Sequence, residues 1–174
     1  MYTVDEKDQV VELKGVPQSC VGAPCPFVIS DEFTLLLAYI VEHVDPKWDG
    51  TYVRLVGPDT PSEIVALVRF TSYSALMFGP PNDEAFSGHP LASRGLSPYS
   101  AAEVVHSSWV RRLERMNAVH PQHNPENFED CRHFVFAFHD STFECVASGF
   151  QIELYEGSMA SFLPVFAKLL NWTP

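Results

Sequence analysis

The stretch Cys131 to Gln151, CRHFVFAFHDSTFECVASGFQ, constrains the fold more than any other part of the chain. Its two runs, HFVFAF (133–138) and FECV (143–146), are rich in aromatic and β-branched residues, which favour strands. Asp140 and Ser141 lie between them and are turn formers whose side chains bond their own backbone. The pattern predicts a tight antiparallel hairpin with a two-residue loop. In that register His139 faces Thr142, Phe138 faces Phe143, Ala137 faces Glu144 and Phe136 faces Cys145. Side chains alternate between faces, so Phe134, Phe136, Phe138, Phe143 and Cys145 form a core face. His133, Val135, Ala137, His139, Thr142, Glu144 and Val146 form a mixed face that can border a pocket. His139 and Glu144 become diagonal neighbours within reach of each other. A carboxylate that orients a histidine is the centre of many acid–base and metal sites. The plainer reading is a solvated hairpin tip whose polar residues satisfy turn backbone groups.

A chain of 174 residues suffices for one domain with a substantial core, and residues 1–174 are read as a single domain. Fourteen prolines and nine glycines punctuate many short elements, which argues against a helical bundle. No apolar run reaches the ~18–20 residues of a membrane span. The opening MYTVDEKDQ is polar and acidic, unlike a signal peptide. Four cysteines do not make a disulfide scaffold, so a reduced, cytoplasmic protein is expected. The formal net charge of −11 speaks against a nucleic-acid partner, which needs a basic footprint. It suits a basic protein partner.

Strands are expected at 9–14, 52–56, 64–70, 99–106 and 150–155. Residues 73–78 are expected to continue the 64–70 strand or pair with it. Residues 34–41 are apolar throughout and fit either a buried strand or a helix capped by Ser30. With Asp31-Glu32 as a turn they pair with FVIS (27–30), and two strands are the reading adopted. DPKWDG (45–50) reads as a turn. Cys20 and Cys25 form a C-x4-C pair, half of a zinc site without a second close pair. Arg69 sits alone in an apolar run, so it needs an edge position or a carboxylate such as Glu84 or Glu144. Ser107-Ser108 caps a helix near 108–119 with an apolar face of Trp109, Val110, Leu113 and Met116. Its outer face holds Arg111, Arg112, Glu114 and Arg115, a solvated surface or an anion contact. His120 and His123 follow in a Pro-broken segment. A C-terminal helix is expected near 162–171, with Ser161 as cap and Pro164 in its first turn. Phe162, Val165, Phe166, Leu169 and Leu170 make it more apolar than one buried face requires, which suggests a homodimer contact. The fold class is α+β: a mainly antiparallel β-sheet, as sandwich or open barrel, with two helices.

The segment GPPNDEAFSGHPLASRGLSP (79–98) reads as a long loop, and such loops often carry function. It presents Asn82, Asp83, Glu84, His89 and Arg94. Two carboxylates and an imidazole can bind a divalent ion, although the spacing matches no standard metal motif. The chain has no GxSxG, P-loop, GxGxxG or HExxH. A ligand- or protein-binding module is the leading expectation. The competing one is a small-molecule enzyme in which the 79–91 loop meets the 139–144 hairpin. Its catalytic candidates are Glu144, His139, Asp140, Glu84 and His89, and a divalent metal would take His89, His139 and Glu144. A third is an acidic inhibitor of a basic partner.

Three blocks, MFGPPNDEAFSGHPL (77–91), SSWVRRLERMNAVHP (107–121) and FVFAFHDSTFECVASGF (134–150), cover about a quarter of the chain. Together they resemble a widespread family of small bacterial proteins to which no activity is assigned. The resemblance implies a bacterial, cytoplasmic protein and transfers no catalytic residue.

Overall fold

The computed structural model describes residues 2–43, 49, 51 and 55–170. The chain forms two compact units, Met1–Val16 with Ser72–Gly149, and Pro17–Thr71 with Phe150–Pro174. The described residues hold nine strands in two antiparallel sheets and two α-helices, so the fold is α+β and mainly antiparallel.

In the first unit, strands β1 (Gln9–Glu12), β6 (Ala101–Val105), β7 (Arg132–Ala137), β8 (Thr142–Ala147) and β5 (Ala75–Gly79) form a sheet in that spatial order. Helix α1 (Ser108–Asn117) packs on β7. Trp109, Val110 and Leu113 of α1 share one cluster with Val135, Ala137 and Val146, and with Phe86, Leu91 and Leu96 from the 79–98 segment. Both faces of the hairpin are therefore buried; Phe134, Phe136, Phe138, Phe143 and Cys145 are at most 2% exposed. Each such phenylalanine contributes about 1.5–3 kcal/mol. Met116, expected on the apolar face of α1, is instead 62% exposed.

In the second unit, β2 (Phe27–Ser30), β3 (Leu35–Ile40), β4 (Glu63–Thr71) and β9 (Gly149–Gly157) form the other sheet. The leucine-rich β3 is a strand because it is wholly buried between β2 and β4. Tertiary packing outweighs its helical leaning. Asp31 sets the turn before it, its carboxylate accepting from the amides of Phe33 at 2.8 Å and Thr34 at 2.6 Å. Arg69 is exposed on β4 and needs no buried partner. Helix α2 (Met159–Ala167) begins three residues before the expected position. Gly157, at φ +151, ends β9, and Ser158 rather than Ser161 caps the helix, which puts Pro164 in its second turn. Phe162 and Phe166 stack on each other and pack on Tyr155, which uses much of the helix's apolar surface within the unit.

Two further expectations are corrected. Residues 75–79 neither continue nor pair with β4; they pair with β8 in the other sheet, Ala75 opposite Val146. The hairpin is offset by two residues: Ala137 faces Thr142, Val135 faces Glu144 and Phe134 faces Cys145. A two-residue loop of type I′ needs two positive φ angles, which Asp-Ser does not supply. Residues 138–141 have none, and the tip closes through Phe138 N–H donating to the Ser141 carbonyl at 2.8 Å. The 79–91 loop holds this wider tip: Asp83 N–H donates to the His139 carbonyl at 2.9 Å, and Thr142 Oγ1 donates to the Pro81 carbonyl at 3.0 Å. An offset of two preserves every side-chain face, but it takes His139 off the ladder. The diagonal neighbour of Glu144 is therefore His133, not His139. The expected strand at 52–56 and turn at 45–50 lie largely outside the described residues.

No helix among the described residues is long and apolar enough to cross a membrane.

Candidate functional site

The candidate residues separate into two clusters, one buried and one at the rim. In the buried one, Glu144 on β8 accepts from Tyr2 Oη at 2.5 Å, His133 Nε2 at 2.9 Å and His89 Nε2 at 3.3 Å. His89 Nδ1 accepts from Leu91 N–H at 3.1 Å, which leaves the proton on Nε2 for Glu144. His133 Nδ1 meets Ser107 Oγ at 2.9 Å. Ser107 caps α1, its oxygen accepting from the amides of Trp109 and Val110, so its own proton goes to His133. Trp109 and Tyr2 wall in the His133 ring, at 5.0 and 5.2 Å between centroids. Burial opposes ionisation of Glu144, but hydrogen bonds from His133, His89 and Tyr2 outweigh it and hold the carboxyl at about 2. Burial, with the neighbouring Glu144 charge, drives the Tyr2 hydroxyl far above its ordinary range.

Ser107, His133 and Glu144 are connected as a nucleophile, base and acid would be. Their exposures are 3%, 0% and 4%, and Ser107 already accepts two helix amides. A nucleophile needs a free lone pair as well as access; this serine borders a surface hollow beside His106 and Arg111, but it is almost wholly buried and its oxygen is committed to the helix amides. The network holds the 79–98 segment, α1 and the N-terminal segment onto the sheet. Ser107→Ala should lower unfolding free energy by about 2–4 kcal/mol, combining a lost cap with an unpaired buried imidazole nitrogen. Urea unfolding measures this, and a loss below about 0.5 kcal/mol would show that the hydroxyl carries neither contact.

The rim cluster is His139, Asp83 and Tyr99. His139 Nδ1 lies 2.9 Å from Asp83 Oδ2 and 2.9 Å from Tyr99 Oη. Tyr99 Oη also donates to Asp83 Oδ2. The Tyr99 and His139 rings stack at 6.2 Å with 16° between planes. Tyr99 has φ +56, a left-handed conformation costing a bulky residue about 1–2 kcal/mol. The Tyr99 bond first, and that from His139, keep the Asp83 carboxyl below its usual range despite partial desolvation. The same bond pushes the Tyr99 hydroxyl up to about 12. The His139 side chain remains 40% exposed. With Nδ1–H donated to Asp83, Nε2 keeps its lone pair; among the described residues Asp140 brings a carboxylate oxygen to within 4.0 Å of it.

Of the catalytic candidates, the structure joins His89 to Glu144 and places His139 with Asp83 instead. Asp140 is 85% exposed beside His139. Glu84 is exposed, and its amide donates to Asp83 Oδ1 at 2.8 Å. The proposed metal set of His89, His139 and Glu144 is not gathered, because the hairpin offset separates His139 from the other two. Among the described residues, no group of three or more His, Cys, Asp or Glu side chains is arranged to hold a metal ion. Sequence reasoning missed Tyr2 and Tyr99, which lie far from their partners along the chain and belong to no motif. Asp83 was visible as a member of a dense polar loop. No family model, curated protein or solved structure matches this chain.

Proposed function

We propose that this protein binds a small polar molecule at the His139–Asp83–Tyr99 cluster, and that His139 exchanges a proton with it. One observation carries the reading: an imidazole fixed at Nδ1 by a carboxylate at 2.9 Å while its side chain stays 40% exposed. A histidine so held has a defined tautomer, and its outer nitrogen is a base. Asp83 is the orienting group, Tyr99 supports Asp83, and Asp140 stands close enough to meet a positively charged ligand atom. Glu144 and His89 form the frame beneath.

Two NMR observations test this. Long-range 1H–15N spectra should show His139 protonated at Nδ1. Titration with a library of small polar compounds should shift His139, Asp83 and Tyr99 together, and His139→Ala should abolish those shifts. Shifts confined to other residues, or unchanged in the variant, would sink the reading.

The charge of −11 favours a second reading, in which an acidic surface meets a basic protein. Its mark is a complex whose association rate falls steeply with salt. Four free cysteines fit a reducing, cytoplasmic setting.

A further inference from the structure

A hollow of about 430 Å³ opens on the flank of α1, lined by Thr3, Ser108, Arg112, Arg115 and Met116. Positions 108, 112 and 115 are four and three residues apart, so they share one helix face. Ser108 is only 6% exposed, and its hydroxyl is buried without a hydrogen-bond partner among the described residues. An unpaired buried hydroxyl is costly and marks a place where a partner belongs. Arg112 and Arg115 are both exposed. No described carboxylate pairs with Arg115, although other arginines of this unit are neutralised: Arg111 by Asp5 at 2.5 Å, and Arg132 by both oxygens of Glu103.

The amides at the start of α1 do not serve this hollow. Ser108 N–H donates to Asp8 Oδ1 at 2.6 Å, and those of Trp109 and Val110 donate to Ser107 Oγ. An anion here would meet side chains rather than amides: the Arg115 guanidinium, that of Arg112 in exchange for contacts it already makes, the Thr3 hydroxyl, and the Ser108 hydroxyl once it rotates out of its buried position. A carboxylate accepts in one plane only, whereas the donors here come from α1 and from the N-terminal segment. A phosphoryl group offers three tetrahedral oxygens and suits guanidinium forks. The hollow exceeds the size of one phosphate, and Met116, 62% exposed, supplies an apolar wall. The chain's charge of −11 repels a long polyanion.

We propose that this hollow binds a small organic phosphate monoester, with Arg112 and Arg115 on the phosphoryl oxygens, Ser108 donating from below, and Met116 against the organic body. The test uses the full chain with phenyl phosphate, inorganic phosphate and benzoate, followed by calorimetry and amide NMR. Phenyl phosphate should bind with shifts at Ser108, Arg112 and Arg115, and Arg115→Gln should weaken it at least about tenfold. Arg115 is exposed, so this variant should fold normally. Ser108→Ala should also weaken binding, while the unliganded protein should be as stable as before or more so. Equal affinity for inorganic phosphate would overturn the ester in favour of the free anion. Benzoate binding as tightly as phenyl phosphate, binding unchanged in Arg115→Gln, or a destabilised Ser108→Ala protein would each overturn the phosphoryl site.

Discussion

Glu144→Gln is expected to lower the unfolding free energy at neutral pH by about 3–5 kcal/mol, the usual cost of removing one partner from a buried charged network. Three donors converge on the carboxylate, from Tyr2, His133 and His89. An amide presents one acceptor and one donor, so at least one N–H must face another donor. His89 cannot relieve the conflict by moving its proton, because its Nδ1 already accepts from Leu91. The wild-type carboxyl is held at about 2 against an ordinary value of 4.5. A group with a depressed folded value contributes stability above its unfolded value and loses it as pH falls through the folded one. Glu144 thus contributes about 3 kcal/mol at neutral pH, lost between about pH 5 and pH 2. Urea unfolding across that window should show the loss in the wild type and a flatter profile in Glu144→Gln. Parallel profiles would show that other carboxylates govern acid lability.

Asp83→Asn is expected to disable His139 while leaving it in place. The carboxylate selects the tautomer with Nδ1–H, so Nε2 is free to take a proton. Asparagine can turn its amide N–H toward Nδ1, which selects the opposite tautomer and occupies Nε2 with the proton. Any reaction that uses Nε2 as base should slow by about 10²- to 10⁴-fold, as it should in His139→Ala. Before a substrate is known, acylation of His139 by diethyl pyrocarbonate reads the same lone pair, and mass spectrometry locates the adduct. The rate should fall sharply in Asp83→Asn; an unchanged rate would show that Asp83 does not set the tautomer. The Tyr99 bond is the first cause of the low Asp83 value. Orientation by ionised Asp83 is lost as pH falls through that value, and Tyr99→Phe should move the loss to higher pH.

Both hairpin strands, the cap at Ser107 and the strand character of 27–30 and 35–40 were legible because each depends on neighbours within a few residues. Aromatic and β-branched runs, a serine before an amphipathic segment and an Asp that bonds nearby amides are local signals. The hairpin offset was not legible. It depends on the loop bearing Asp83 and Pro81, which lies some sixty positions upstream of the tip and bonds to it. The same offset decided the site. It sent His139 to Asp83 and left Glu144 to His133 and His89. Helix α2 was misplaced by three residues for a smaller reason: Ser158 and Ser161 are equally good caps in isolation, and Gly157 settled the choice by ending β9.

By itself the sequence determined the class of fold, since its aromatic and β-branched runs, each bounded by turn residues, favour antiparallel sheet over a helical bundle. It also determined which faces of the hairpin are alike, because a two-residue offset preserves alternation. Only the tertiary structure decided which polar side chains meet. Tyr2 reaches Glu144 across 142 positions, and Tyr99 reaches His139 across 40. No local periodicity encodes such pairings; they arise from the packing of separate segments, which buries one carboxylate among three donors and leaves another at the rim with an exposed imidazole.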